Sequence, residues 1–304
     1  MGFFASENFW FMVLRCLTPI LFATLATLVA NTSGFYFLGI EGCMTVAALF
    51  GVLGSGFTGS LIVGMLCGLA SGVLYSLLLG YFVMQLKANT IITGIALNLA
   101  AAGGSEFLLY TLTGDKNASN SLNSAAFPTL SIPVLRDIPV VGNVLSGHNI
   151  LTYASLAAAI LLFIMLRYTS FGIKVRSVGE MPAAAESVGI KVNRVRYQAL
   201  LISGVLAAFG GMYLSMGYIN RFTTGMVAGR GYISLATQAM AGGNSLIGIV
   251  SSFLYAFGNS IAIQLQNLGL DPYLITIIPY FFIIVFYVVF SLLQLRREQM
   301  KLAA

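Results

Sequence analysis

The residues able to do chemistry in this chain are few and unevenly placed. It has 15 Lys or Arg and 9 Asp or Glu. Seven of these charges, Lys174, Arg176, Glu180, Glu186, Lys191, Arg194 and Arg196, gather in and just after FGIKVRSVGEMPAAAESVGIKV at 171–192. Glu41 in GIEG (39–42), Glu106, Arg221, Arg230 in AGRG (228–231) and Asp271 stand apart, near the ends of apolar stretches. Four amides, Asn98, Gln238, Asn259 and Gln264, lie inside such stretches and need polar neighbours, because burying an unpartnered amide costs about 1–3 kcal/mol. Cys16, Cys43 and Cys67 all fall in apolar segments, with neither a disulfide framework nor metal-ligand spacing. The single His148 reads as a solvated loop residue. No metal and no cofactor are therefore expected. GSGFTG (54–59) fits GxGxxG but lacks the preceding strand and the downstream acidic partner of a dinucleotide site, so it reads as a turn between helices. No GxxxxGK[ST] occurs, so the chain is not expected to be an enzyme, and any driving energy comes from elsewhere.

Inside the charged cluster, Pro182 suits the first turn of a helix and Gly189 a left-handed C-terminal cap. Glu180 and Glu186 bracket a short helix over 182–188. Met181, Ala184 or Ala185, and Val188 then share one face. Two readings stand at this level: a solvated loop whose charges set topology, or a helix that docks in a groove of a soluble partner while flanking cations orient it.

The elements that position these residues belong in a bilayer. With 58% hydrophobic residues, 8% charged residues and a mean hydropathy of +0.92, the chain is far from the soluble norm of about 25% charged. Nine apolar stretches approach the length needed to cross a membrane: 10–30, 35–51, 58–83, 90–113, 149–167, 198–217, 231–243, 246–266 and 272–294. The fold class expected is an all-α polytopic bundle of about 8–10 membrane segments, some short or broken, with a weak inverted repeat, forming a single domain over 1–304. The net charge of +6 follows the positive-inside rule and does not indicate nucleic acid. That rule places 168–197 and the tail with Arg296, Arg297 and Lys301 in the cytoplasm, and the loop 114–148 outside. The NAS at 117–119 fits a glycosylation acceptor only formally. MGFFASENFW has no basic n-region, so residues 10–30 are expected to remain as a membrane segment. Gly64, Gly68 and Gly72 form GxxxGxxxG, a face for close helix packing within the subunit.

Orientation leaves a conflict. Nine crossings with an internal C-terminus place the N-terminus outside, whereas Arg15 favours inside. Residues 35–51 and 231–243, both short and Gly-bounded, are the candidates for incomplete crossing. One expectation is that 35–51 dips in from the outer side and brings Glu41 beside Arg230 as a charge pair.

The run FGIKVRSVGEMPAAAESVGIKVNRVRYQALLISGVLAAFGGMYLS resembles the cytoplasmic loop and following helix of permease subunits of ABC importers for nucleosides and simple sugars, in the branched-chain amino acid and ribose permease superfamily. LGIEGCM (38–44), ANTIITGIALNLAA (88–101), LRDIPVVGNVL (135–145) and GRGYISLATQAMAG (229–242) extend the resemblance over nearly the whole chain, although AMAGGNSLIG (239–248) lacks the Trp or Pro common in that turn. The resemblance implies the membrane half of an importer in a bacterial inner membrane. It implies as partners a second permease subunit, identical or different, a cytoplasmic ATP-binding subunit, an extracytoplasmic substrate-binding protein or lipoprotein, and membrane lipid. The charged loop becomes the coupling helix, with Gly179, Glu180, Pro182, Ala184, Ala185, Glu186 and Gly189 at the ATPase contact. Glu41, Asn98, Arg230 and Gln238 become the translocation residues, and a nucleoside the expected cargo, with simple sugars and flavins as relatives' cargoes. The rival reading is a secondary transporter or channel driven by an ion gradient, which normally displays coupled carboxylates at mid-membrane.

Overall fold

The computed structural model describes residues 7–130, 144–267 and 272–303. Most of LRDIPVVGNVL (135–143) and Asp271 lie outside the described residues. The described part is almost entirely helical, and seven of its helices are long and apolar enough to cross a membrane. It is a multi-pass membrane protein.

Two faces organise the bundle: one carries the long loop 114–149, the other the charged segment 169–191. α1 (Glu7–Thr32) begins at the loop face, where Phe11 stacks on His148 with ring centroids 4.0 Å apart. It ends at the charged face, where Gly34 lies against Gly179 and Arg196 donates to the Ser33 carbonyl at 3.2 Å. The chain then re-enters the bundle as a non-helical stretch over 35–39, and α2 (Ile40–Thr58) starts inside. Its far end reaches the loop face, where Gly56 meets Leu122 and Gly59 closes the helix in the left-handed conformation. GSGFTG is therefore mostly the last turn of α2, and only Gly59 and Ser60 make the turn.

α3 (Leu61–Met84) returns and α4 (Thr90–Thr113) crosses again. Asn89 starts α4 by accepting from the amides of Ile91 and Ile92, and Gly114 ends it with positive φ. In the long loop, β1 (Thr129–Leu130) pairs antiparallel with β2 (His148–Asn149). α5 (Ile150–Tyr168) leads back to the charged face, followed by α6 (Ser170–Glu180), α7 (Pro182–Ser187) and α8 (Val192–Met212). α8 continues as a π-helical turn over Tyr213–Tyr218. Residues 219–224 rejoin the loop face, where Ser119 donates to the Phe222 carbonyl. The chain then turns inward, and α9 (Arg230–Ala241) starts inside the bundle and ends at the charged face. α10 (Ser245–Asn267) and α11 (Pro272–Ala303) complete the helices.

This route decides how 35–51 runs. Residues 35–51 are entered from the charged face and continue to the loop face, so the expected dip from the other side does not occur. The N-terminal helix begins on the side of the 114–149 loop. Arg15 lies in the loop-side half of the bundle, its guanidinium carbon 4.4 Å from the Tyr218 ring centroid.

The core is packed through small residues, as lipid offers no hydrophobic drive between helices. A methyl group on Gly68 would collide with Met212 and the Ala47 carbonyl; on Gly72 it would collide with Ala208 and the Gly204 carbonyl. The GxxxGxxxG face thus joins α3 to α2 and α8 within the subunit. His148 corrects another expectation. It is buried under Phe11, and its Nε2 lies 2.8 Å from the Val144 carbonyl. Burial, together with the charge of Arg15, lowers its pKa, against the raising effect of the Val144 carbonyl.

Candidate functional site

α2 and α9 both begin in the interior of the bundle, each behind a glycine: Gly39 before Ile40 and Gly229 before Arg230. Helix starts leave backbone N–H groups without intrahelical partners, and in a membrane interior no water replaces them. Side chains fill that role here. Glu41, in the first turn of α2, accepts from Gly229 N and Gly231 N at 2.8 Å each, and so caps α9 from another helix. The carboxylate thereby sits between two positive helix-dipole ends. Gly231 is required at this contact, since a Cβ there would strike the Glu41 backbone and carboxylate.

Asn98, on the buried stripe of α4, serves the start of α2 in return. Its Oδ1 accepts from Gly42 N at 2.8 Å and from the Tyr75 hydroxyl at 3.2 Å. Its Nδ2 donates to the Leu38 carbonyl at 2.9 Å and to the Tyr232 hydroxyl at 3.0 Å. An amide has two donors and two acceptor sites, so Asn98 is fully committed. Tyr232, 47% exposed, carries this junction to the outer surface of the bundle.

Arg230 does not complete the expected charge pair. Its Nη1 donates to the carbonyls of Met226 and Val227, 3.0 Å from each, while Glu41 spends its oxygens on backbone amides. Arg230 also lines a cavity of about 190 Å³ with Tyr255, Asn259 and Gln266. Glu41 and Arg230 do stand at segment ends, as expected, but those ends lie in the middle of the bundle and not at its surface. Gln238 is buried two turns further along α9, away from the junction. Of the four residues, Glu41 and Asn98 meet the helix starts directly, Arg230 flanks them and Gln238 does not join.

A hydroxyl cluster that the sequence did not single out pins α9 in place. Thr24 and Thr237 hydroxyls are 2.6 Å apart, Ser252 donates to Thr24 at 3.0 Å, and Ser251 donates to the Thr237 carbonyl at 2.9 Å. No local signal marks these residues, since Ser and Thr are common in membrane helices and bond as readily to their own backbone.

At the charged face, α7 forms over 182–187, with Gly189 left-handed as expected. Met181 (63% exposed), Ala184 and Val188 (74% exposed) project outward. Ala185 faces the opposite way, buried among Leu28, Val175, Val178, Val192 and Val195. Gly179 is likewise inward, since a Cβ would strike the Thr32 carbonyl. Glu180, Glu186 and Gly189 are exposed. Of the seven coupling candidates, Gly179 and Ala185 anchor the segment, Ala184, Glu186 and Gly189 are exposed on α7 and its cap, half-buried Pro182 starts α7, and Glu180 ends α6 facing a cleft beside the end of α1.

Comparison with known proteins adds identity to this geometry. Residues 9–295 match the family described as branched-chain amino acid transport system/permease component. A nucleoside ABC transporter permease protein of Lactococcus lactis subsp. cremoris is 30% identical over 281 residues, covering 86% of this chain and 87% of that protein. A guanosine ABC transporter permease protein of Bacillus subtilis is 32% identical over 202 residues, covering 64% and 62%. A Haloferax volcanii permease protein, assigned provisionally to a glucose ABC transporter, is 27% identical over 261 residues, covering 84% and 77%. No solved structure matches the chain.

Proposed function

The chain belongs to the family of branched-chain amino acid transport system permease components, and on that premise we propose that it carries a nucleoside into a bacterial cell as one membrane half of an ABC importer. The charged face is cytoplasmic and the 114–149 loop extracytoplasmic. A second permease subunit completes the translocation passage, and a binding protein delivers cargo to the loop face. A separate ATP-binding subunit docks on α7, and closure around ATP moves the helices. Residues 1–304 act as one domain in this reading, with 168–197 as its coupling loop.

The observation that carries the reading is the outward edge of α7. Met181 and Val188 stand exposed around small Ala184, on a helix too short to persist alone but fixed to the bundle through Ala185 and Gly179. Such an edge suits insertion into a partner's groove. Glu41 and Asn98 act in the passage as positioning residues that hold the starts of α2 and α9, while Tyr232 and the neighbouring surface of α4 face the cargo. The Tyr232 hydroxyl beside the exposed apolar side chains Ile95 and Leu99 of α4 suits a neutral solute with both polar and flat apolar parts. The names of the Lactococcus and Bacillus relatives support a nucleoside over a simple sugar.

The test is reconstitution of this chain with its second permease, ATPase and binding protein in proteoliposomes. Radiolabelled nucleoside uptake that requires ATP and the ATPase subunit is expected. Uptake that followed a proton or sodium gradient without ATP would establish the secondary-transporter reading, and ribose uptake without nucleoside uptake would replace the substrate.

A further inference from the structure

A cavity lies at the charged face, away from the helix-start junction. About 570 Å³ opens between the end of α1, the end of α5, α6 and the turn 242–245. Among the residues that line it are Arg167, Arg176, Glu180, Asn31 and Asn244. Arg176 and Glu180 are one turn apart on α6 and so face the same space. Arg167 is held at the rim by aromatic rings, its guanidinium carbon 5.7 Å from the Phe163 centroid and 6.0 Å from that of Tyr168.

The Arg167 side of the cavity adjoins the bilayer. Arg167 ends a membrane-crossing helix, Phe163 lines the cavity one turn earlier, and Ile160 and Ile164 on the same strip are 51% and 47% exposed. An apolar track therefore leads from the hydrocarbon region up to a polar pocket bearing two cations. Basic pockets between membrane helices are recognition sites for lipid headgroups. A soluble metabolite would have no use for that track. The charges select further: two guanidiniums fit one phosphodiester, and Glu180 reduces the wall to a net +1, leaving a carboxylate for an ammonium.

We propose that this cavity holds the headgroup of a membrane phospholipid bearing a phosphodiester and a primary amine, with the phosphate between Arg167 and Arg176, the ammonium at Glu180 and an acyl chain along Phe163, Ile164 and Ile160. The lipid braces α6 against the 242–245 turn, and so steadies the segment that presents α7. The inference needs only the membrane location and stands apart from the choice of cargo.

Native mass spectrometry of the purified full chain reads it out, after delipidation and exposure to an equimolar mixture of phosphatidylethanolamine, phosphatidylglycerol and phosphatidylcholine. Retention of phosphatidylethanolamine above the other two is expected, and the double variant Arg167→Gln/Arg176→Gln should lower it at least about tenfold, a floor that the loss of two charge-assisted contacts exceeds. Arg167→Lys/Arg176→Lys keeps the charge without the fork and should retain more lipid than the glutamine pair and less than wild type, which separates lost charge from lost folding. Glu180→Gln should shift preference toward phosphatidylglycerol. Equal retention by wild type and the glutamine double variant overturns the site. Displacement of the lipid by millimolar inorganic phosphate or phosphoethanolamine overturns the lipid in favour of a soluble phosphate ligand.

Discussion

Replacing Glu41 by Ala removes the cap of α9 while leaving both helices in place, and its cost can be worked from two contacts. Gly229 N and Gly231 N each lose a charged acceptor at 2.8 Å. Hydrogen bonds to charged groups contribute about 1.5–3 kcal/mol each, and because Glu41 is only partly buried the lower half applies, giving about 3–4 kcal/mol in total. The average of about 0.6 kcal/mol for side-chain hydrogen bonds between membrane helices does not apply, because it reflects groups that find other partners. Amides at a helix start inside the bundle have no such alternative. Glu41→Gln keeps one acceptor oxygen, so about half the loss is expected. Thermal unfolding of the full chain in detergent measures this: at about 2–4 °C per kcal/mol, Glu41→Ala should melt at least about 6 °C lower and Glu41→Gln about midway. Adding Arg230→Ala should bring no recovery, because Arg230 bonds to the Met226 and Val227 carbonyls and not to Glu41. A double variant that regained wild-type melting would restore the charge-pair reading, and an unshifted Glu41→Ala melt that nevertheless abolished transport would make Glu41 a lining residue and refute the cap.

Ala184→Arg should leave folding intact, since Ala184 is exposed, yet lower ATP-driven uptake at least about tenfold, the factor for roughly 1.4 kcal/mol of lost docking, while ATP hydrolysis continues. Ala185→Arg should instead deplete the folded protein, because it forces an unpaired charge into the cluster of Leu28, Val175 and Val178; expression and monodispersity compare the two. Gly72→Leu should destabilise by at least about 1–3 kcal/mol through overpacking against Ala208, whereas Gly103→Leu, which meets open space, should melt like wild type. His148 has a folded pKa below its unfolded value, so its contribution is present above the unfolded value of about 6.5 and is lost as pH falls from there toward the lower folded value. The wild type should lose melting temperature as pH falls below about 6.5 more steeply than His148→Phe, which keeps a ring against Phe11.

Local signals were enough for much of this protein. Seven of the nine apolar stretches coincide with helices long and apolar enough to cross, because a bilayer demands about 20 apolar residues per helix, whereas 231–243 forms the short α9 that starts inside the bundle. Pro182 and Gly189 announced α7 because each acts on the backbone within its own turn. The glycines at 64, 68 and 72 announced close packing because their spacing alone puts them on one face. The tertiary structure decided the rest. Whether Ala184 or Ala185 faces outward depends on Leu28 and Val195, far away in the chain. The route of 35–51 depends on the approach of Gly34 to Gly179 and Arg196. Glu41 finds its partners 188 and 190 residues away, and His148 is buried by a ring from α1. A soluble helix advertises its inner side by an apolar stripe. In lipid both sides of a helix are apolar, so periodicity carries little information about which helix faces which. Where no water satisfies a helix that begins inside the bundle, the partner is whichever side chain the completed packing brings there, and that choice is made only when the distant segments meet.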